Sequence, residues 1–180
     1  MLSPEEALRR RLEAVPPGLE GWKQFEDVCT DALIHLLVPP LTVPLRQPRT
    51  YSGTDRRDTI FPNRNHGLQN AWGHLLTELD ARMVLVEFKN YTTDPVGKDE
   101  VNQTRNYLSQ TIGRLGIVVS RTGYDGGAHI KRNSAFSEEK KVILLLTIDD
   151  IKEMLYMKER GEDPADLVMD AVEKFYVEYE

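Results

Sequence analysis

Cysteine and histidine are scarce: Cys29 stands alone and there are four scattered histidines in 180 residues. One thiol excludes an internal disulfide framework and suits a reducing cytoplasm. With so few imidazoles beside it, a thiolate or His-rich zinc site has no basis. No apolar run approaches the roughly 20 residues a membrane helix needs, and the N-terminus lacks a signal-peptide pattern. A cytoplasmic location without a membrane partner is therefore expected. Positive charge is not in excess either. A net charge of −6 argues against coating nucleic acid by bulk charge, although an enzyme touching it locally stays open. Internal repeats and low-complexity linkers are missing, so residues 1–180 read as one domain large enough for a proper core.

What is present is an ordered alternation. Ser3-Pro4-Glu5-Glu6 carries an N-cap, a first-turn proline and a capping-box acid, opening a helix to about Ala14 within residues 1–15. A second helix over about Gly21–Val38 repeats Trp22, Phe25, Val28, Cys29, Ala32, Leu33, Leu36 and Leu37 at helical spacing. Its acids Asp27 and Asp31 fall on the solvent side, whereas Glu26 falls on the margin of the apolar stripe, aimed inward. Prolines at 44 and 48 restrict Leu41–Tyr51 to an edge strand or irregular ribbon. Arg57–Phe61 reads as a short strand with Asp58 inside it, where aspartate is disfavoured. Trp72, Leu75, Leu76 and Leu79 predict a short helix. Another follows over about Gly97–Thr111, with a packing stripe of Val101, Leu108 and Ile112; Gln103 and Tyr107, four apart, lie together off that stripe. Gly116–Ser120 and Val142–Thr147 are buried strands separated by a helix, and residues 148–180 hold two helices packing on the core. Helices between buried strands predict an α/β domain around a mixed central sheet flanked by helices.

The stretch Arg82–Tyr91 (R-M-V-L-V-E-F-K-N-Y) is the informative one. It is a buried strand by composition, and alternation puts Val84, Val86 and Phe88 on one face, Leu85, Glu87 and Lys89 on the other. Charge at the end of a core strand is costly unless paired or bound to metal. Glu-x-Lys alone is weak, since Glu138-Glu139-Lys140-Lys141 matches it twice in a polar run. The context is stronger: Asp58 upstream in a strand, Glu26 facing inward from a helix. Converging carboxylates repel unless one is protonated or a cation joins them, and oxygen donors without thiolate or imidazole select Mg²⁺, or Mn²⁺ in its place. Asp58, Glu87 and Glu26 are thus the candidate metal ligands. Lys89 would position or deprotonate the attacking water and stabilise the charge that develops.

These residues resemble the PD-(D/E)-x-K, restriction-endonuclease-like, phosphodiesterase superfamily, in particular its Mrr-like branch of type IV restriction and defence nucleases. W-K-Q-F-E-D-V is similar to that branch's opening helix and its acid at Glu26. T-D-R-R-D-T-I-F-P-N and V-E-F-K-N match the two acidic motifs at Asp58 and at Glu87 with Lys89; V-N-Q-T-R-N-Y matches the Q-x-x-x-Y helix motif at Gln103 and Tyr107. The likeness covers about Gly21–Ser120. It implies a restriction-endonuclease-like core, Mg²⁺-dependent phosphodiester hydrolysis and frequent dimerisation. Gln103, Tyr107 and Asn90 become candidates for contacting substrate phosphate or metal-bound water; Asn90 also fits a strand-ending turn. Arg57 stands where the family name has proline, a helix-bearing insertion separates Asp58 from Glu87, and Asp55 rivals Asp58 as the first acid. With no helix-turn-helix or zinc module, target choice falls to a regulatory partner or to the cleft. The resulting expectation is a nuclease acting on DNA, less favourably RNA, as a homodimer or larger assembly in a prokaryotic defence system. The alternative is an inactive nucleic-acid- or protein-binding module on the same fold.

Overall fold

The computed structural model describes residues 1–53 and 56–179. In chain order its elements are α1 (Pro4–Ala14), α2 (Trp22–Leu37), β1 (Leu45–Arg46), β2 (Thr59–Pro62), α3 (Ala71–Leu79) and β3 (Met83–Lys89). There follow α4 (Lys98–Tyr107), β4 (Leu115–Ser120), α5 (Gly126–Glu139), β5 (Val142–Thr147), α6 (Ile148–Glu159) and α7 (Ala165–Glu178). The strands form one five-stranded sheet in the order β1-β2-β3-β4-β5. Its first two pairings are antiparallel and its last two parallel, so the sheet is mixed as expected.

Alternation along β3 sorts the core into two layers. Val84, Val86 and Phe88 join Ile117, Val119, Leu144 and Leu146 beneath α1, α2, α3, α6 and α7. Leu85, Val118 and Ile143 face the other way, against Val101, Tyr107, Ala128 and Ala135 of the crossover helices α4 and α5. The parallel pairs need those crossovers, which cover the second face of the strands. No helix among the described residues is long and apolar enough to cross a membrane.

Two boundaries depart from the sequence reading. Helix α4 stops at Tyr107 rather than near Thr111, because the next residues are drawn into the sheet's periphery: Met83 N–H donates to Ile112 O at 3.1 Å and Arg114 N–H to Leu79 O at 2.9 Å. Strand β2 begins at Thr59, not Arg57, because Asp58 turns its amide and carboxylate toward β3 instead of toward a ladder. Within Asn63–His66, Asn63 and Asn65 form a buried amide knot while Arg64 and His66 are exposed. Asn63 Nδ2 donates to Trp72 O and Ala81 O, both at 2.9 Å, while its Oδ1 accepts from Asn65 N–H and from Asn65 Nδ2 at 2.8 Å.

Truncating Asn63 removes buried hydrogen bonds to the Trp72 and Ala81 carbonyls and to the Asn65 amide. Asn63→Ala is expected to lower the unfolding free energy by about 2–4 kcal/mol, read as a shifted urea midpoint at unchanged slope. A loss near zero would mean the knot is dispensable.

Candidate active site

The register of β2 against β3 builds the site. Thr59 lies opposite Val86, so one residue further Asp58 comes opposite Glu87. Opposed residues of an antiparallel pair share a face, and the two acids are latched across the gap. Asp58 N–H donates to Glu87 Oε1 at 3.3 Å, and Phe88 N–H donates to Asp58 Oδ2 at 2.9 Å. Each carboxylate thus takes a backbone hydrogen bond from the other's strand.

Glu87 is 3% exposed. Burial pushes its carboxyl up to about 8, with the charge of Asp58, and more weakly that of Glu26, adding to the rise; Lys89 and the Asp58 N–H oppose it. Asp58 is also held above its ordinary value, first by burial, against the opposing pull of the Phe88 N–H, Lys89 and Arg56. Two carboxylates so placed share a proton unless a cation takes its place.

Lys89, two residues along the same face, is half-buried rather than buried as its strand position implied. The desolvation cost at this strand end therefore falls on Glu87. Lys89 Nζ donates to Gln103 Oε1 at 3.3 Å, and Gln103 Nε2 donates to Tyr107 Oη at 2.9 Å. One turn of α4 thereby aims the amine. Tyr107 corrects the helix-face reading: it is buried within the core layer, because α4 ends there and its inward face is Val101, Thr104 and Tyr107.

Three other candidates occupy different positions. Glu26 is buried, yet its Oε1 accepts from Gln47 Nε2 at 2.5 Å, with Lys23 and Arg56 at 3.8 and 3.9 Å. Helix α2 packs on the sheet face opposite Glu87 and Lys89, so Glu26 reaches only the margin of the pair. Burial raises its carboxyl, Gln47 lowers it, and the Asp58 charge raises it further. Asn90 is a structural bracket. Its Nδ2 donates to Pro16 O and Gly18 O, and its Oδ1 accepts from Arg121 Nε at 2.6 Å. This uses the whole amide, and the strand-ending role replaces the phosphate contact. Asp55 lies outside the described residues.

The three-carboxylate metal set is therefore not formed: among the described residues no three Asp, Glu, His or Cys side chains converge on one point. What fits Mg²⁺ is the pair. Two oxygen-donor carboxylates, one raised to about 8 by burial and its neighbour's charge, are a donor set that a hard divalent cation relieves. Mg²⁺ is commonly held by one or two carboxylates with water and phosphate completing its shell.

Lys89 also stands where two clefts meet. One, of about 560 Å³, is walled by Tyr91, Asn102, Gln103, Asn106 and Tyr107; the other, of about 550 Å³, by Leu19, Trp22, Phe88 and Pro95. In the structure the Arg57 guanidinium lies 5.3 Å from the Tyr107 ring centroid and that of Arg56 5.5 Å from Trp22. Gln47, the partner of Glu26, carried no sequence signal, since only the β1–β2 hairpin brings it there.

The fold is restriction-endonuclease-like. The structure of the restriction endonuclease FokI bound to DNA aligns with a TM-score of 0.55 over 89% of this chain and 31% of that one, at 10% identity. At that identity the likeness shows the fold alone. In sequence, 110 residues, 61% of the chain, are 32% identical to an Escherichia coli (strain K12) protein bearing the name transposon gamma-delta 80.3 kDa protein. The matched stretch spans 15% of that relative's length. No protein-family model matches.

The carboxylate pair has a pH signature. The folded value of Glu87 lies above its ordinary 4.5, so between about 4.5 and about 8 the folded chain binds more protons than the unfolded one and loses stability as pH rises. Asp58 acts in the same direction. Metal-free protein should melt progressively lower across that window; Glu87→Gln should flatten the slope and melt a few degrees higher near its upper end. Identical slopes in both proteins would refute the buried pair.

Proposed function

We propose that the chain is a Mg²⁺-dependent nuclease hydrolysing phosphodiester bonds of DNA, with Mn²⁺ as a substitute ion. One observation carries this: Asp58 and Glu87 opposed across β2 and β3, with Lys89 beside them on the same face of a restriction-endonuclease-like sheet. DNA is favoured over RNA because FokI is a DNA-bound restriction endonuclease in its structure and the Escherichia coli relative's name ties it to a transposon. The Mrr-like assignment and a role in prokaryotic defence rest on the motif residues. Homodimerisation and a regulatory partner that selects the target belong to the same proposal.

Asp58 and Glu87 would hold the ion, and Glu26 would act at one remove, through water. The bound ion would supply Lewis acidity, lowering the pKa of water and neutralising charge on the phosphate. Lys89 Nζ, anchored by Gln103 Oε1, holds the attacking water and receives or shares its proton. The water oxygen bonds to phosphorus as one P–O ester bond breaks, and the departing oxygen leaves as the alkoxide or takes a proton from solvent. Lys89 also stabilises the charge on the pentacovalent transition state. Gln103 is itself held by its bond to Tyr107 Oη.

A second reading, an inactive binding module on this fold, is favoured by the engagement of Glu26 with Gln47. Incubating plasmid and RNA with Mg²⁺, Mn²⁺ or EDTA separates the two. Wild-type protein should nick or cut DNA with metal only, and Asp58→Ala or Lys89→Ala should slow cleavage at least about a hundredfold. Asp58→Ala should melt at the wild-type temperature or above it, as a like-charge contact is removed. Mg²⁺ should raise the wild-type melting temperature with its concentration, and that of Asp58→Ala far less. Binding without strand breaks under every condition would favour the module.

A further inference from the structure

We propose that the groove between Leu19, Trp22 and Pro95 is a nucleobase-stacking subsite, where an unpaired DNA strand lays one base on the Trp22 indole beside Lys89. The choice of DNA as occupant rests on the nuclease reading; the stacking chemistry does not. Helical spacing placed Trp22 in the core stripe of α2. As the first residue of that helix it is instead 44% exposed, next to Leu19 at 90%. Its ring lines the groove, with the Arg56 guanidinium 5.5 Å from its centroid.

The groove is built in advance. Gly18 has φ +80°, and a Cβ there would lie 2.6 Å from Thr92 Oγ1. A Cβ on Gly21 would lie 1.8 Å from Pro16 O. Gly18 N–H donates to Asn90 O at 2.7 Å, while the Asn90 amide clasps Pro16 O and Gly18 O in return. Arg121 fixes this bracket from behind by donating to Asn90 Oδ1 and Val15 O. The loop that carries Leu19 and Trp22 is thus sewn to the residue after Lys89. Walls that need no ordering lose little on binding.

Lys89, Asp94 and Glu100 all line the groove. Burial pushes the Glu100 carboxyl up, yet the Tyr91 hydrogen bond and, more weakly, the nearby Lys89 charge hold it below its ordinary value. Glu100 is already engaged, accepting from Tyr91 Oη at 2.5 Å and Gly97 N–H at 3.0 Å. A phosphate entering beside the stacked base would meet Lys89, the cation that lines the groove. In a duplex the base faces are covered by their neighbours, so an indole face can receive only an unstacked base. Stacking on an aromatic side chain accepts any base and suits a protein without a sequence-reading module.

The test uses the whole chain in EDTA, where cleavage does not intervene. Trp72 is 1% exposed, so ligand-dependent quenching of tryptophan emission reports Trp22. A short oligothymidylate should quench it, and the same strand in a duplex should not. Trp22→Ala should weaken single-strand binding roughly fivefold to a hundredfold at unchanged melting temperature, and Trp22→Phe should keep most of the affinity. Equal quenching by duplex, a preference for oligouridylate, no binding, or wild-type affinity in Trp22→Ala would each overturn the subsite. Quenching without cleavage under any metal would leave the subsite standing and remove the nuclease. Cleavage lost in Asp58→Ala but unaltered in KM by Trp22→Ala would do the reverse.

Discussion

Two carboxylates facing each other across β2 and β3 are the constraint from which the rest of the site follows. Like charges directly opposite in a sheet destabilise it, and here the register allows no escape, since Thr59 must meet Val86 for Ile60 and Leu85 to share their core layer. The chain accommodates the conflict locally. Asp58 leaves the ladder, its carboxylate accepts from Phe88 N–H, and its own N–H is offered to Glu87. The hydrogen bonds keep both oxygens in place without discharging the repulsion, and Glu87 rises to about 8. The fold thus tolerates a destabilised spot that a proton or a cation can relieve.

The second organising contact is the bracket at Asn90. It joins the end of β3 to the loop before α2, and Arg121 from the end of β4 closes it. Lys89 immediately precedes Asn90, so the same hydrogen bonds that terminate the strand fix the backbone of the amine-bearing residue. From the other side, Gln103 holds the amine itself. Precision at Lys89 comes from three elements that are distant in sequence.

How far the chain could be read in advance depended on whether a residue's environment was local. The alternation in Met83–Lys89 is local, and its consequence, Glu87 and Lys89 on one face, holds. Asp58 was found because an acid is out of place in a strand and because a motif supplied its partner. Glu26 was phased inward correctly, but helical phase does not reveal which side of a sheet a helix covers, so its place at the margin was invisible. Tyr107 was misplaced because its helix was read one turn too long, which rotated the assumed packing stripe. Asn90 looked like a turn residue or a ligand; the bracket that decides the matter uses Pro16, Gly18 and Arg121, whose proximity only the fold creates. Trp22 was assigned to the core by periodicity, which cannot tell the first turn of a helix, projecting beyond the sheet, from the turns above it.

Charge then limits how such a protein can hold a polyanion. The chain is acidic overall, and three arginines of the β1–β2 region are engaged within the fold. Arg46 pairs with Asp31, Arg57 lies over Tyr107, and Arg56 lies over Trp22 within 3.9 Å of Glu26. Few side chains are therefore placed to displace counterions from phosphates, and the salt dependence of binding should be correspondingly shallow. On the nuclease reading, affinity would come from elsewhere: a cation neutralising Asp58 and Glu87, and contact between bases and Trp22. A cleft organised this way would favour a strand that already exposes its bases over a closed duplex. The same acidity that argues against indiscriminate binding would then act as a filter on the state of the nucleic acid.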